Sequence, residues 1–341
     1  MNSTLSSLVH PVLDYIVNEK LYSYFEVIIN LWTLFFLFCF GLVTNVLNAL
    51  VFIRQGLKDS VNISMMAITF WDLVKCLSGL IHRMYGPLYA LSPWLSFCWQ
   101  NFTYYVEYTP IFAGYVNFSL TAYVSVERCL CVSMPFKVKS IITVKVTLVM
   151  VVVISMITFG AFFVVYFLYD IYYVYFPEFN TSLPLFRFSA FYYRAQNVVM
   201  PYYNTIAILL PFSSFVVLCA CSTITIYYLK KSSKFPGQGT GKISSTSGIS
   251  IRERKVSKML LVVIGVKIGN LFPRMICYTA QLIEPEFYTL RHYHYLFMTV
   301  TRFLFVLDIV NASATFFIYL NMSSNFQNSF YKLFNSQRSK E

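Results

Sequence analysis

Residues 146–168 read VTLVMVVVISMITFGAFFVVYFL, twenty-three positions without one charged side chain. A helix needs about 20 apolar residues to cross the hydrocarbon core of a bilayer. Working outward from this stretch, the chain offers seven candidate spans: 26–53, 61–85, 100–131, 143–168, 199–229, 255–283 and 296–320. Spans of this length are expected to be helices, because lipid offers the backbone no hydrogen-bond partner. The fold expected is an all-α integral membrane protein, a bundle of seven transmembrane helices.

Composition agrees. Hydrophobic residues make up 57% of the 341 and charged residues only 12%, whereas a soluble domain is about a quarter charged. Such a chain cannot cover a water-facing surface. Its formal net charge of +12 would suit a nucleic-acid binder, but the basic residues are not spread evenly. Leaving aside six within spans, sixteen lie on one side of the bundle and four on the other. The sixteen include Arg54, Lys58, Lys137, Lys139, Lys145 and eight between Lys230 and Lys258. Short loops rich in Lys and Arg stay cytoplasmic. The N-terminus is therefore expected outside and the C-terminus inside, in a multi-pass plasma-membrane protein with lipid and not nucleic acid around it.

The domain reading follows. Residues 1–25 form an extracellular tail, with no basic start and apolar run of a cleavable signal. Residues 26–320 form the bundle, interrupted at about 230–252 by a Gly- and Ser-rich cytoplasmic loop expected to be flexible. Residues 321–341 carry Phe326, Phe330 and Phe334 on one face, the pattern of a short amphipathic helix lying on the membrane. The sequons at Asn2 and Asn180 fall on the outer side, where glycosylation is possible.

Charges within spans are functional-site candidates, since each is costly in lipid. They are Asp72, Lys75, Glu107, Arg128, Lys267, Arg274, Arg302 and Asp308. Lys75 and Asp308 are a candidate intramembrane pair. The third span is the most polar, with Glu107, Asn117, Ser119 and Thr121, and is expected at the bundle centre. Pro211 and Pro273 fall inside the fifth and sixth spans and are expected to kink them. Four histidines and eight cysteines show no metal-ligand or nucleophile spacing, so an enzyme is not expected.

Motifs in order along the chain resemble the rhodopsin-like (class A) G-protein-coupled receptors. Asn45, in Thr44-Asn45-Val46-Leu47-Asn48, matches the family's first-span Asn, and Asp72 its second-span acid. Glu127-Arg128-Cys129 is similar to the family's Asp/Glu-Arg-Tyr, and Tyr319 ends a stretch similar to Asn-Pro-x-x-Tyr. The stretch Glu127–Lys139 and the ending Phe316-Phe317-Ile318-Tyr319 most resemble a divergent invertebrate peptide- or chemosensory-type branch. The resemblance implies a switch formed by Glu127, Arg128, Glu253 and Tyr319, in which Arg128 and Glu253 hold the third and sixth helices together at rest. It implies a polar cluster of Asn45, Asp72, Asn117 and Asn311, with a sodium ion possible beside Asp72. Two departures stand out. The outer loop 169–198 has no cysteine, and Asn270-Leu271-Phe272-Pro273 replaces Cys-Trp-x-Pro.

The resemblance also implies partners. A heterotrimeric G protein would bind inside and an extracellular ligand outside, either a neuropeptide or a small chemosensory molecule. The pocket is expected at Glu107, Tyr108, Arg274, Tyr278 and Arg302, where two arginines suit an anionic group and Glu107 a cationic one. An aromatic loop, 171–193, would cover it. The alternative for such intramembrane charges is a multi-span transporter or ion channel.

Overall fold

The computed structural model describes residues 17–177, 180–233, 251–289 and 291–338. The chain is a bundle of long helices. Helix α1 spans Glu19–Gln55, capped by Asn18, whose Oδ1 accepts from the Leu21 amide at 2.8 Å. Its second segment, Glu26–Thr33, winds as a π-helix. Gly56 ends it with φ +83°, a left-handed conformation that glycine adopts without strain. Helix α2 follows at Ser60–Arg83, then the short α3 at Tyr85–Leu91 and α4 at Pro93–Phe102. Helix α5 is Thr109–Ser133, α6 Pro135–Ile141 and α7 Val144–Phe162. The hairpin β1 (Tyr169–Phe176) and β2 (Thr181–Phe188) comes next. Helices α8 (Ala190–Ser233), α9 (Ile251–Ile283), α10 (His294–Met322) and α11 (Ser324–Arg338) complete the chain.

Among the described residues, six helices are long and apolar enough to cross a membrane. They are α1, α2, α7, α8, α9 and α10. On α7 only 22% of the most apolar stretch is buried, so its Val, Met and Ile side chains face outward, as lipid contact requires. Helix α5 is the opposite case: sixteen of its 25 residues are buried, Asn117 and Thr121 among them. It is the central helix, polar because its neighbours are protein.

Two sequence expectations are corrected here. The third span does not begin at 100. A 3₁₀ turn occupies Tyr104–Tyr108, and α5 starts only at Thr109, with Pro110 in its first turn. Proline lacks the amide that an interior helical position would donate. Glu107 and Tyr108 therefore precede the helix.

The aromatic loop is a two-stranded antiparallel hairpin, so the bundle is all-helical but the chain is not. Tyr169 pairs with Phe188 and Phe176 with Thr181. The Tyr, Phe, Val and Ile residues of β1 are strand formers, and Asp170 lies opposite Arg187 across the pair.

Helix α11 turns phenylalanines toward the bundle. Phe326 is buried, packed edge-on against Phe52 and tilted against Tyr319 of the bundle, while Phe330 meets Phe316. The Phe334 side chain lies outside the described residues.

The apolar core is split. One cluster joins Val116, Leu120 and Val124 of α5 to Met65, Leu260 and Tyr319. The other joins Phe112, Tyr115 and Phe118 to Phe162, Leu271 and Met275, toward the hairpin end. Between them lies a layer of polar side chains.

Candidate functional site

The polar layer begins on α2, where Asp72 and Lys75 stand three residues apart and so share a face. Lys75 Nζ donates to Asp72 Oδ1 at 2.9 Å, and both are buried. Asn117 Nδ2 of α5 donates to the same oxygen at 2.6 Å. Across the bundle, Asp308 of α10 accepts from Asn270 Nδ2 at 2.7 Å and forms an ion pair with Arg274 of α9. Arg274 also reaches the Tyr278 hydroxyl at 3.4 Å and lies 5.7 Å over the Phe118 ring. The Tyr278 hydroxyl meets that of Tyr115 at 3.0 Å. Lys267 is buried in the same layer, attracted by Asp72 and Asp308 and repelled by Lys75.

At the end of α5 remote from the hairpin, Glu127 is buried among three hydroxyls. Ser64 Oγ donates to it at 3.1 Å, Tyr123 at 3.1 Å and Thr147 Oγ1 at 3.0 Å. These come from α2, α5 and α7. Arg128 beside it is also buried; its Nε has no hydrogen-bond partner, and no carboxylate lies within ion-pair distance among the described residues. Tyr319 is buried nearby, its hydroxyl 3.0 Å from Met65 Sδ.

A second charged group caps the hairpin end. Arg302 reaches Glu107 Oε1 at 3.4 Å and Glu26 Oε1 at 3.5 Å. His82 Nε2 lies 3.8 Å from Glu107 Oε2. Arg83 donates twice to Asn30, to the backbone carbonyl and to Oδ1, both at 2.7 Å. Its guanidinium lies 5.0 Å from the Phe38 ring centre and 5.5 Å from that of Phe305. The π-helical turn of α1 supplies both Glu26 and Asn30.

The family model described as serpentine type 7TM GPCR chemoreceptor Srw matches residues 32–337. The chain belongs to that family. It is thus a multi-pass membrane protein of a G-protein-coupled chemoreceptor family. No curated protein matches it.

In this Srw chain the expected polar cluster is brought together only in part. Asn45, Asp72, Asn117 and Asn311 are all buried, but only Asp72 and Asn117 bond directly. Asn45 Nδ2 turns to the carbonyls of Gly41 and Ala312, at 2.9 and 3.3 Å. Neither amide atom of Asn311 has a partner.

The expected Lys75–Asp308 pair is not formed. Lys75 takes the acid one turn away on its own helix, and Asp308 is claimed by Arg274 and Asn270. Glu253 belongs to α9, but its side chain lies outside the described residues, so the Arg128–Glu253 contact does too. Pro211 and Pro273 lie inside continuous helices, as does Pro201.

The five expected pocket residues separate into three places. Glu107 and Arg302 pair in the cap, Arg274 and Tyr278 sit in the deeper layer, and the Tyr108 hydroxyl meets Tyr169 of the hairpin at 2.9 Å. The charges are spent on one another, because in a site poor in water each finds the nearest counter-charge. Sequence reasoning missed Glu26, Asn30 and His82. The signal available was Arg83, a second arginine near a span end that also needs partners.

Around the cap, the hairpin rests on the 3₁₀ tyrosines. Tyr104 stacks on Phe186 with ring centres 3.8 Å apart, and the Tyr105 hydroxyl donates to the Tyr169 carbonyl at 2.5 Å. Tyr288, between α9 and α10, donates to Asn204 Oδ1 of α8 at 2.7 Å; burial pushes its phenol above the ordinary value. Asn180 closes the hairpin with φ 47°, exposed, its Oδ1 accepting from the Tyr175 hydroxyl at 2.7 Å. Asn2 lies outside the described residues.

Proposed function

We propose that this chain is a rhodopsin-like plasma-membrane receptor in which α5, the third span, brings the total to seven, N-terminus outside, that binds a small extracellular chemosensory molecule and activates a heterotrimeric G protein. The observation that carries the reading is the state of Arg128. Its neighbour Glu127 is satisfied by Ser64, Tyr123 and Thr147, and Arg128 Nε at the end of the central helix has no hydrogen-bond partner among the described residues. A buried arginine with spare donors there suits a group that exchanges partners between two states. Glu253, on the same end of α9, is its resting partner, and outward movement of α9 frees Arg128 for the G protein. Near a wet surface such a pair contributes only about 0–1 kcal/mol, so ligand binding can tip the balance.

On the outer side, a ligand enters beneath the hairpin and competes with the self-paired charges of Arg302, Glu107 and Arg274. The charge bias of the loops supports this orientation. Glycosylation at Asn180 fits the same side. The transporter or channel reading has less support, since Asp72 and Asp308 are each paired, with Lys75 and Arg274, between two apolar clusters.

The test is a screen of small odorant-like molecules and short peptides on cells expressing the chain with a promiscuous G protein. Ligand-dependent signalling is expected, and is expected to vanish in Arg128→Ala at unchanged surface expression. A peptide-only response would replace the small-molecule part of the reading. Ligand-gated ion flux without G-protein activation would overturn it.

A further inference from the structure

The likeness to rhodopsin-like receptors implies a sodium ion beside Asp72, and the residues present do not fit one. Hard cations collect oxygen ligands, about six or more for a divalent ion. Here the Asp72 Oδ1 oxygen already carries two nitrogen donors, Lys75 Nζ at 2.9 Å and Asn117 Nδ2 at 2.6 Å. Thr315, in the place of the family's usual Asn, turns its hydroxyl to the Ala312 carbonyl at 2.9 Å. Unpartnered oxygens remain in the layer, Asp72 Oδ2 and Asn117 Oδ1 among them. They surround a carboxylate whose charge the Lys75 ammonium already neutralises.

Charge decides the matter. The layer holds the acids Asp72 and Asp308 against Lys75, Lys267 and Arg274, all buried or largely so. One carboxylate is taken by Lys75 and the other by Arg274. A mobile cation entering would meet Lys75 within contact of its only available acid and Lys267 close by, in surroundings where like charges repel far more strongly than in water.

We infer that Lys75 is a tethered counter-ion standing where a sodium ion would otherwise be held, and that this receptor's core takes up no sodium. The side chain supplies the same unit of charge but cannot leave, so extracellular or cytoplasmic salt composition does not set the resting state. Sodium sensitivity is absent by construction and latent in the fold: removing the two lysines leaves Asp72 with no cation and Asn117 as its only bonded partner.

The inference is independent of G-protein coupling, and its test reads only the folded state. The full-length receptor is purified in detergent, and its thermal unfolding is followed in sodium, potassium and choline chloride at equal ionic strength. The wild type is expected to unfold at one Tm in all three. Lys75→Met/Lys267→Met is expected to gain several degrees in sodium over choline and potassium. A wild-type Tm that rises selectively with sodium overturns the inference, whether or not the variant folds. So does a folded double variant that remains blind to sodium, since Lys75 would then not be filling a cation's place.

Discussion

Arg274 of α9 and Asp308 of α10 form a largely buried ion pair that ties two neighbouring helices at the depth of the polar layer. Asn270 and Tyr278 complete its hydrogen bonding from one turn either side on α9. This pair lies between the hairpin end, where a ligand would arrive, and the Arg128 end. It couples the helix proposed to move to one that anchors α11.

Removing one partner of a buried pair strands the other charge, at a cost of about 3–5 kcal/mol. Asp308→Leu alone is therefore expected to lower the Tm and surface expression sharply. Arg274→Met/Asp308→Leu is expected to recover much of the loss. Lys75→Ala should give no comparable rescue of Asp308→Leu. A double-mutant cycle on Tm checks this, and a coupling near zero between Arg274 and Asp308 would refute the pairing.

Glu127 depends on hydroxyls from three helices. Hydrogen bonds to charged groups contribute about 1.5–3 kcal/mol each. Thr147→Val and Ser64→Ala are each expected to destabilise by that order, and Glu127→Gln by less than Glu127→Ala, since the amide oxygen still accepts. Chemical or thermal unfolding in detergent measures the ranking.

If Glu253 holds Arg128 at rest, Glu253→Ala raises basal G-protein activity without ligand at equal surface expression. Glu253→Gln should raise it less. Basal activity equal to wild type in a well-expressed Glu253→Ala removes the lock.

Gly79 illustrates how tightly the cap is packed. A Cβ placed there would lie 2.2 Å from Phe38 Cζ, and Phe38 is one of the rings against Arg83. Overpacking typically costs about 1–3 kcal/mol. Gly79→Ala is expected to reduce the yield of folded receptor, and Gly79→Ala/Phe38→Leu to restore part of it. A folded yield for Gly79→Ala equal to wild type would contradict the packing.

The membrane class and most of the helices were legible in the sequence because lipid imposes a simple rule of length and apolarity, which the described helices of 190–233 and 294–322 follow. The centrality of α5 was legible from its polar residues. The nearness of Asp72 and Asn117 followed from motif order. Partner choice was not legible. Whether Lys75 reaches Asp308 or Asp72 depends on helix rotations that hydropathy does not carry, and the shorter path won. The late start of α5 was written in Pro110 but masked by the apolar run around it. The hairpin was masked because its aromatic residues serve equally at a membrane interface.

The π-helical turn at Glu26–Thr33 makes the register of α1 unusually vulnerable. Such a turn arises where one residue is inserted into an α-helix. Straightening that turn to ordinary winding with every residue kept would rotate everything before it by about 100°. Tyr22, now 3.0 Å from Glu26, and the Asn18 cap would swing to another face, while Leu34 onward stayed in place. The turn thus acts as a phase-setter: its winding at this one point aims the first helical turns of the chain without disturbing the bundle.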